Sequence, residues 1–317
     1  MIVLNNLSPN QIFFPKHFEE SERIRKENLN FAYYASAETV YKLIIKQELW
    51  LRSITAMNDY AEFTHGKKLL IETINESING KQLKEIFNAL RPNLFDQVFS
   101  DFQRYSDYMR RDFQIMCVSE HDNIQDKNGK LSMWRAYGGN NPVAIVFKRE
   151  FFEWFAKDNL DFSNVAYLEK EKLDNEIKNL NESILRNKQN LDNLDSNELK
   201  RYLGVIFTFA ALCNKHEGFN EEKEWRLIAM GSICENNESI FKEVETIKGV
   251  PQLILKVKLE SLPIGLKLKD MIEKVIIGPC NHPNLVYDSI DLALKSIGVE
   301  KPDSLIYGSD IPYRANF

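Results

Sequence analysis

The sequence predicts an α+β fold, a mixed β-sheet with peripheral helices and one helical hairpin insertion. Three observations carry that prediction. Apolar runs of strand length, such as FQIMCVSE, PVAIVFK and KVIIGP, recur along the chain, and strands dominate its last third. Helical patterns fall among them without strict alternation, which argues against a doubly wound parallel sheet. Residues 169–216 hold apolar positions at heptad-like spacing, Leu173, Ile177, Leu180, Ile184, Leu191 and Leu194, interrupted by Asn187. That spacing predicts two antiparallel helices turning near Asp195 and Ser196.

Residues 1–30 are polar and end in the charged run HFEESERIRKEN, which suits a short helix; they read as an N-terminal extension to a single α+β domain over 31–317. FAYYAS opens that domain as a strand, Ser36 is placed to cap a helix, and AETVYKLIIKQE puts Val40, Leu43 and Ile44 on one helical face. LWLRS is a second strand running into a loop. Residues 62–112 read as helices, with breaks near Gly80 and Pro92. FQIMCVSE (113–120) is a buried strand, and Asn128-Gly129 in the polar run after it suits a tight turn. PVAIVFK then predicts a strand, EFFEWFAK a short helix and NVAYLE another strand. Beyond the hairpin, WRLIAM, IFKEVET, QLILKVKLE, EKVIIGP and SLIYGSD read as strands, with NLVYDSIDLALKSIG a helix among them.

At 317 residues, with 44% hydrophobic and 27% charged residues, the chain has the composition of a folded globular protein that buries a full core. Its net charge of -5 gives no global basic field, so nucleic-acid contact would rest on a local patch, Arg104, Arg110 and Arg111 with Tyr105 and Tyr108 between them. Cys117, Cys213, Cys234 and Cys280 are widely separated and form no C-x-x-C pair, which predicts reduced thiols and no structural zinc site. No run is apolar or long enough for a signal peptide or a membrane span, so the expected location is the cytoplasm.

Three clusters carry candidate chemistry. Glu222 and Glu224 form E-x-E before the strand run at Trp225; if pairing begins at Glu222, the two-residue strand period places both carboxylates and Arg226 on one face. Asn58, Asp59 and Glu62 form N-D-x-x-E after a strand, suited to a helix cap or to a polar contact at a cleft. Ser132, Trp134 and Tyr137, followed by Gly138 and Gly139, form S-M-W-x-x-Y-G-G. Its two rings lie one helical turn apart and could line a slot for a planar group, while the glycines allow close backbone approach. G-x-G-x-x-G, P-loop and G-x-S-x-G motifs are absent from the sequence, which argues against Rossmann dinucleotide binding, P-loop phosphoryl transfer and a serine hydrolase.

In this order, FAYYAS, ELWLRSITAMNDYAE, FQIMCVSE, LSMWRAYG, KHEGFNEEKEWRL, KVIIGP and SDIPYR, the chain resembles the bacterial family known as domain of unknown function 2971 over about residues 31 to 314. More distantly it is similar to ADP-ribosyltransferases of the His-Tyr-Glu type. That resemblance implies a bent or split sheet, NAD as substrate without a metal, and transfer of ADP-ribose to a protein or nucleic-acid acceptor. It implies Glu224 as the catalytic acid and Glu222 as the group positioning the acceptor or a ribose hydroxyl. NAD would be held by Tyr33, Tyr34, Arg52, Asn58, Ser132, Trp134, Tyr137 and Arg226, with Arg314 as a further anion clamp. Tyr33 departs from the pattern, because that position in the family carries His or Arg, and a phenol supplies neither a cation nor an imidazole. The roles that fit such a protein include a toxin, a phage-defence effector and a metabolic enzyme.

Two readings stand beside it. One is a non-catalytic sensor in phage defence that uses helices 169–216 to bind a partner or a second copy. The other is a metal-dependent hydrolase or nuclease built on Asp59, Glu62 and Glu222.

Overall fold

Most strands and helices form where the apolar patterns place them, over the residues that the computed structural model describes: 7–56, 62–155, 160–232, 238–247, 249–260 and 267–312. The chain opens with α1 (Pro9–Phe13) and α2 (Pro15–Lys26), then β1 (Asn30–Ser36), α3 (Ala37–Lys46) and β2 (Glu48–Ser53). Three helices follow, α4 (Glu62–Glu76), α5 (Ile78–Leu90) and α6 (Leu94–Asp112). Next come β3 (Phe113–His121), α7 (Leu131–Tyr137), β4 (Pro142–Phe147), α8 (Arg149–Phe155) and β5 (Asp161–Asn164). The hairpin is α9 (Lys170–Arg186), α10 (Lys188–Leu191) and α11 (Ser196–Leu212). The last third holds β6 (Glu224–Met230), β7 (Ile240–Ile247), β8 (Val250–Lys258), α12 (Leu268–Met271), β9 (Ile272–Ile277), α13 (Pro283–Ser296) and β10 (Ile306–Gly308).

By their contacts these elements group into two compact units. The first is helical and combines Met1–Arg23, Met57–Arg111 and Asn164–Asn220. The second holds the sheet and combines Ile24–Ala56, Asp112–Ser163 and Glu221–Phe317.

In the helical unit, α1 packs its apolar residues inward. Ile12 and Phe13 are buried, and Phe13 stacks on Tyr202 at 4.7 Å. The heptad-like seam Leu173, Ile177, Leu180, Ile184 and Leu191 is buried inside this unit, where α9 packs against α1, α4 and α5. Any partner contact through 169–216 therefore falls to the other faces of these helices. The helix break expected near Gly80 falls at Ser77, between α4 and α5. Ser77 caps α5 by accepting the Gly80 N–H at 2.9 Å, and Gly80 serves close packing, since a Cβ there would lie 2.5 Å from the Ile74 backbone. The strand expected at NVAYLE also moves: β5 lies earlier, at Asp161–Asn164, and Ala166 makes only an isolated bridge to Asn214.

In the sheet unit the strand order is β10-β9-β4-β1-β3-β2-β8-β7, with β6 on the other edge of β3 and β5 beyond it. Two different strands share one edge of β3. Its last residues pair with β1 (Ala32 opposite Ser119), whereas Ile115 and Gln114 pair with β2 on that same edge (Arg52 opposite Ile115). Between them, Met116, Cys117 and Val118 pair only with β6 in the register. One face of the sheet carries Phe31, Val118, Trp225, Leu227, Val143 and Ile145, and packs on apolar residues of α3, α8 and α13. Each such fully buried side chain contributes about 1.5–3 kcal/mol. The opposite face is where polar residues alternate inward.

Candidate functional site

The site is assembled from β3, β6 and α7 within the sheet unit. In FQIMCVSE the odd residues Cys117 and Ser119 alternate with the core residues Met116 and Val118. The register sets Cys117 opposite Arg226 and Ser119 opposite Glu224, so these four share the face away from the main core. On that face Arg226 Nε donates to Glu224 Oε1 at 2.7 Å, with Glu224 5% and Arg226 3% exposed. A charge-assisted hydrogen bond of this kind fixes the direction in which the buried carboxylate points.

Glu222 arrives by a different route from the one expected. Pairing begins at Glu224, not Glu222; residues Glu217–Glu222 form a 3₁₀ turn, and Lys223 takes the left-handed conformation (φ 42°) between the two acids. Simple strand alternation therefore does not place Glu222. It is nonetheless buried, and the Tyr137 hydroxyl donates to its Oε1 at 3.1 Å. α7 is thus tied to the acidic corner at Tyr137 and to β3 at Met133, whose sulfur accepts from Ser119 Oγ at 3.8 Å.

The aromatic slot expected of Trp134 and Tyr137 is not built as such. Trp134 is 1% exposed, its Nε1 donates to Asn128 O at 3.1 Å, and Tyr34 meets it edge-on at 4.7 Å. Gly129 and Gly278 crowd its ring so closely that a Cβ at either would come within 3 Å of it. Trp134 fills its own hole and offers no stacking floor, which leaves Tyr137, half-buried, as the ring of that motif that reaches the acids. The expected close approach of glycine backbone is met at Gly138, where a Cβ would lie 2.2 Å from Pro142 Cβ. Ser132 is half-buried in α7.

Tyr33 and Arg52 come from the two strands that part along β3. Burial pushes the Tyr33 phenol up to about 12, while the nearby Arg52 charge pulls it down and Cys117 adds to the rise. These three groups therefore interact electrostatically at this fork. Arg52 is held by its own neighbours: Nη2 donates to Ala56 O at 2.8 Å and to Gln252 Oε1 at 2.9 Å. Tyr34 is a structural support. Its hydroxyl accepts the Lys130 N–H at 3.1 Å, and burial raises its pKa despite that bond. Asn58, Asp59 and Arg314 lie outside the described residues. In the helical unit, Glu62 pairs with the buried Lys215 at 3.0 Å, so a lysine takes the carboxylate that a metal reading needs. Among the described residues, no group of three His, Cys, Asp or Glu could hold a metal ion.

The arrangement also contains residues that sequence reasoning passed over. Glu120 is buried on the core face and accepts the Trp225 Nε1 proton at 3.0 Å, and His121 beside it is fully buried with no hydrogen-bond partner for either ring nitrogen. Burial lowers the His121 pKa to about 4, the Lys274 and Lys130 charges reinforce that shift, and Asp126 and Asp122 oppose it. Ser119 and Cys117 could have been found from the small, polar alternation in β3, which marks one face as something other than packed core.

A family described as "Protein of unknown function (DUF2971)" matches residues 133–227, the stretch from α7 through the Glu222–Arg226 corner, and supports the resemblance to that family. No curated protein and no solved structure matches the chain. Among the described residues, no helix is long and apolar enough to cross a membrane.

Proposed function

We propose that the chain is an ADP-ribosyltransferase-like enzyme that consumes NAD and transfers ADP-ribose to a protein or nucleic-acid acceptor. The observation that carries this reading is the fork at β3. It brings Arg52 to one edge of the strand and the buried Glu224–Arg226 pair to the other on the same face, while Tyr33 sits nearby on β1 and packs against the main core.

In this reading the bond between ribose C1′ and the nicotinamide nitrogen breaks, its electron pair leaves with neutral nicotinamide, and the acceptor attacks C1′ and gives up a proton. The positive charge that develops on the ribosyl ring needs a fixed anion in a site of low dielectric. Glu224 supplies it, aimed by the hydrogen bond it accepts from Arg226. Glu222, oriented by Tyr137, positions a ribose hydroxyl or the acceptor. Arg52 and Tyr33 act as donors toward ribose or phosphate, with Tyr33 working as a neutral phenol. Trp134 contributes by fixing α7 rather than by stacking.

Protein incubated with cell extract and NAD labelled on the adenylate phosphate tests transfer. Label on a macromolecule with the native chain, and none with Glu224→Gln, supports the proposal; equal labelling with both removes Glu224 from the chemistry. A second reading is favoured by one observation, the enclosed Trp134 together with Tyr33 where the resembled enzymes carry His or Arg. On that reading the site at the fork binds a ligand without cleaving it, as a sensor would.

A further inference from the structure

His121 is a buried group that the proposed chemistry does not use. It ends β3 opposite Asn30 of β1, is fully buried, and hydrogen-bonds through neither ring nitrogen. Buried polar atoms without partners are rare in folded chains. The chain leaves β3 at His121 and is tied back one residue earlier, because Lys130 Nζ donates to Glu120 O at 3.0 Å. Residues 122–130 therefore form a closed loop whose base is the histidine.

That loop is held by polar contacts rather than by packing. None of its residues is buried, and Ile124, its one large apolar side chain, is 85% exposed. Lys274 Nζ donates to Asn123 O at 3.4 Å, Asn123 Nδ2 to Glu273 Oε1 at 3.3 Å, and the Lys130 N–H to the Tyr34 hydroxyl at 3.1 Å. Trp134 Nε1 and Ser309 Oγ both donate to Asn128 O, at 3.1 and 2.7 Å. A segment with solvent-facing hydrogen bonds and no buried apolar contact opens at lower cost than the strands beneath it. We propose that His121 and residues 122–130 form an acid-operated latch, in which a proton taken up by the ring lifts the loop from β3 and frees the start of α7.

The closed loop gives an imidazolium no partner. Asp122 and Asp126 lie near enough to favour it, but neither hydrogen-bonds the ring. Asp122 Oδ1 accepts the N–H groups of Ile124 and Gln125, and Asp126 Oδ2 accepts that of Asp122. Lys130 and Lys274 repel the charge, and β1 offers only the neutral Asn30 opposite. Burial with these two cations lowers the closed ring to about 4. Water reaches the charged ring at least cost by displacing the loop. Two anchors end on α7, since Lys130 is its N-cap and Trp134 lies within it. The same helix carries Tyr137, the donor to Glu222, so opening loosens one wall of the acidic corner. The latch does not rest on the NAD reading.

Amide hydrogen exchange of the full chain, followed by mass spectrometry and corrected for the intrinsic effect of pH, tests it. From pH 7.5 to 5.0 the opening of residues 122–134 should rise about 25-fold, as linkage requires of a ring that titrates at about 4 when closed and 6.5 when open. The amides of β4 should keep their protection over the same range. His121→Leu should abolish the rise. Ser309→Ala, which loses an anchor, should exchange faster at pH 7.5 and keep the same fold-change on acidification. No rise in 122–134, an equal rise in β4, or a rise that His121→Leu leaves in place would each overturn the latch.

Discussion

His121 makes stability depend on pH in a direction and over a window that can be worked out. It is the last residue of β3, fully buried, with neither ring nitrogen hydrogen-bonded. Its pKa falls from 6.5 to about 4 in the folded chain, chiefly because burial disfavours the charged ring. Between those values the unfolded chain binds a proton that the folded chain refuses, so stability rises with pH. The contribution is fully present above pH 6.5 and is lost as pH falls toward 4. The gap corresponds to roughly 3 kcal/mol, since each pH unit is worth about 1.4 kcal/mol. The perturbation is His121→Leu, which removes the titration and also two buried, unpartnered nitrogens, so at pH 7.5 it should be neutral or stabilising. The assay is urea unfolding of both proteins from pH 7.5 to 4.5. The native protein should lose roughly 2–3 kcal/mol more than the variant over that range. Parallel curves, or an imidazole carbon resonance that titrates near 6.5, would refute the argument.

Other consequences follow from the same contacts. Glu224→Ala removes the carboxylate that Arg226 Nε reaches and should lower stability by about 1.5–3 kcal/mol, and Glu224→Ala with Arg226→Ala should cost clearly less than the sum of the two, as a double-mutant cycle in urea would show. Tyr137→Phe removes the hydroxyl that donates to Glu222 and should lower stability by about 1.5–3 kcal/mol, read from the unfolding midpoint. Gly129→Ala puts a Cβ 2.3 Å from Trp134 Cζ2 on left-handed backbone (φ +68°); a loss of about 1–3 kcal/mol and a shift in tryptophan emission are expected.

Much of the sheet was legible because the evidence for each strand is local. β1, α3 and β2 follow from an apolar run, the Ser36 cap and one apolar face, and Ser36 does accept the Thr39 N–H. The break near Gly80 was legible, but not that Gly80 itself serves close packing, which only the position of Ile74 reveals. Glu222 misled for a backbone reason. A left-handed lysine at 223 is a conformation that residue type does not announce, and it converts an expected strand alternation into a corner. Trp134 could not be placed from its helical spacing, since the groups that enclose it, Gly129, Gly278 and Tyr34, come from three other segments. The fork at β3 could not be read from the sequence. It arises from β1 and β2 sharing one edge of β3, a pairing between segments too far apart for periodicity to report.

The central claim is that Glu224 serves NAD cleavage, and nicotinamide release by the purified chain tests it most directly. The account predicts release with NAD alone or with an added acceptor, and its loss in a Glu224→Gln protein whose urea unfolding is still cooperative. No release under either condition, or release that Glu224→Gln leaves intact, would contradict it.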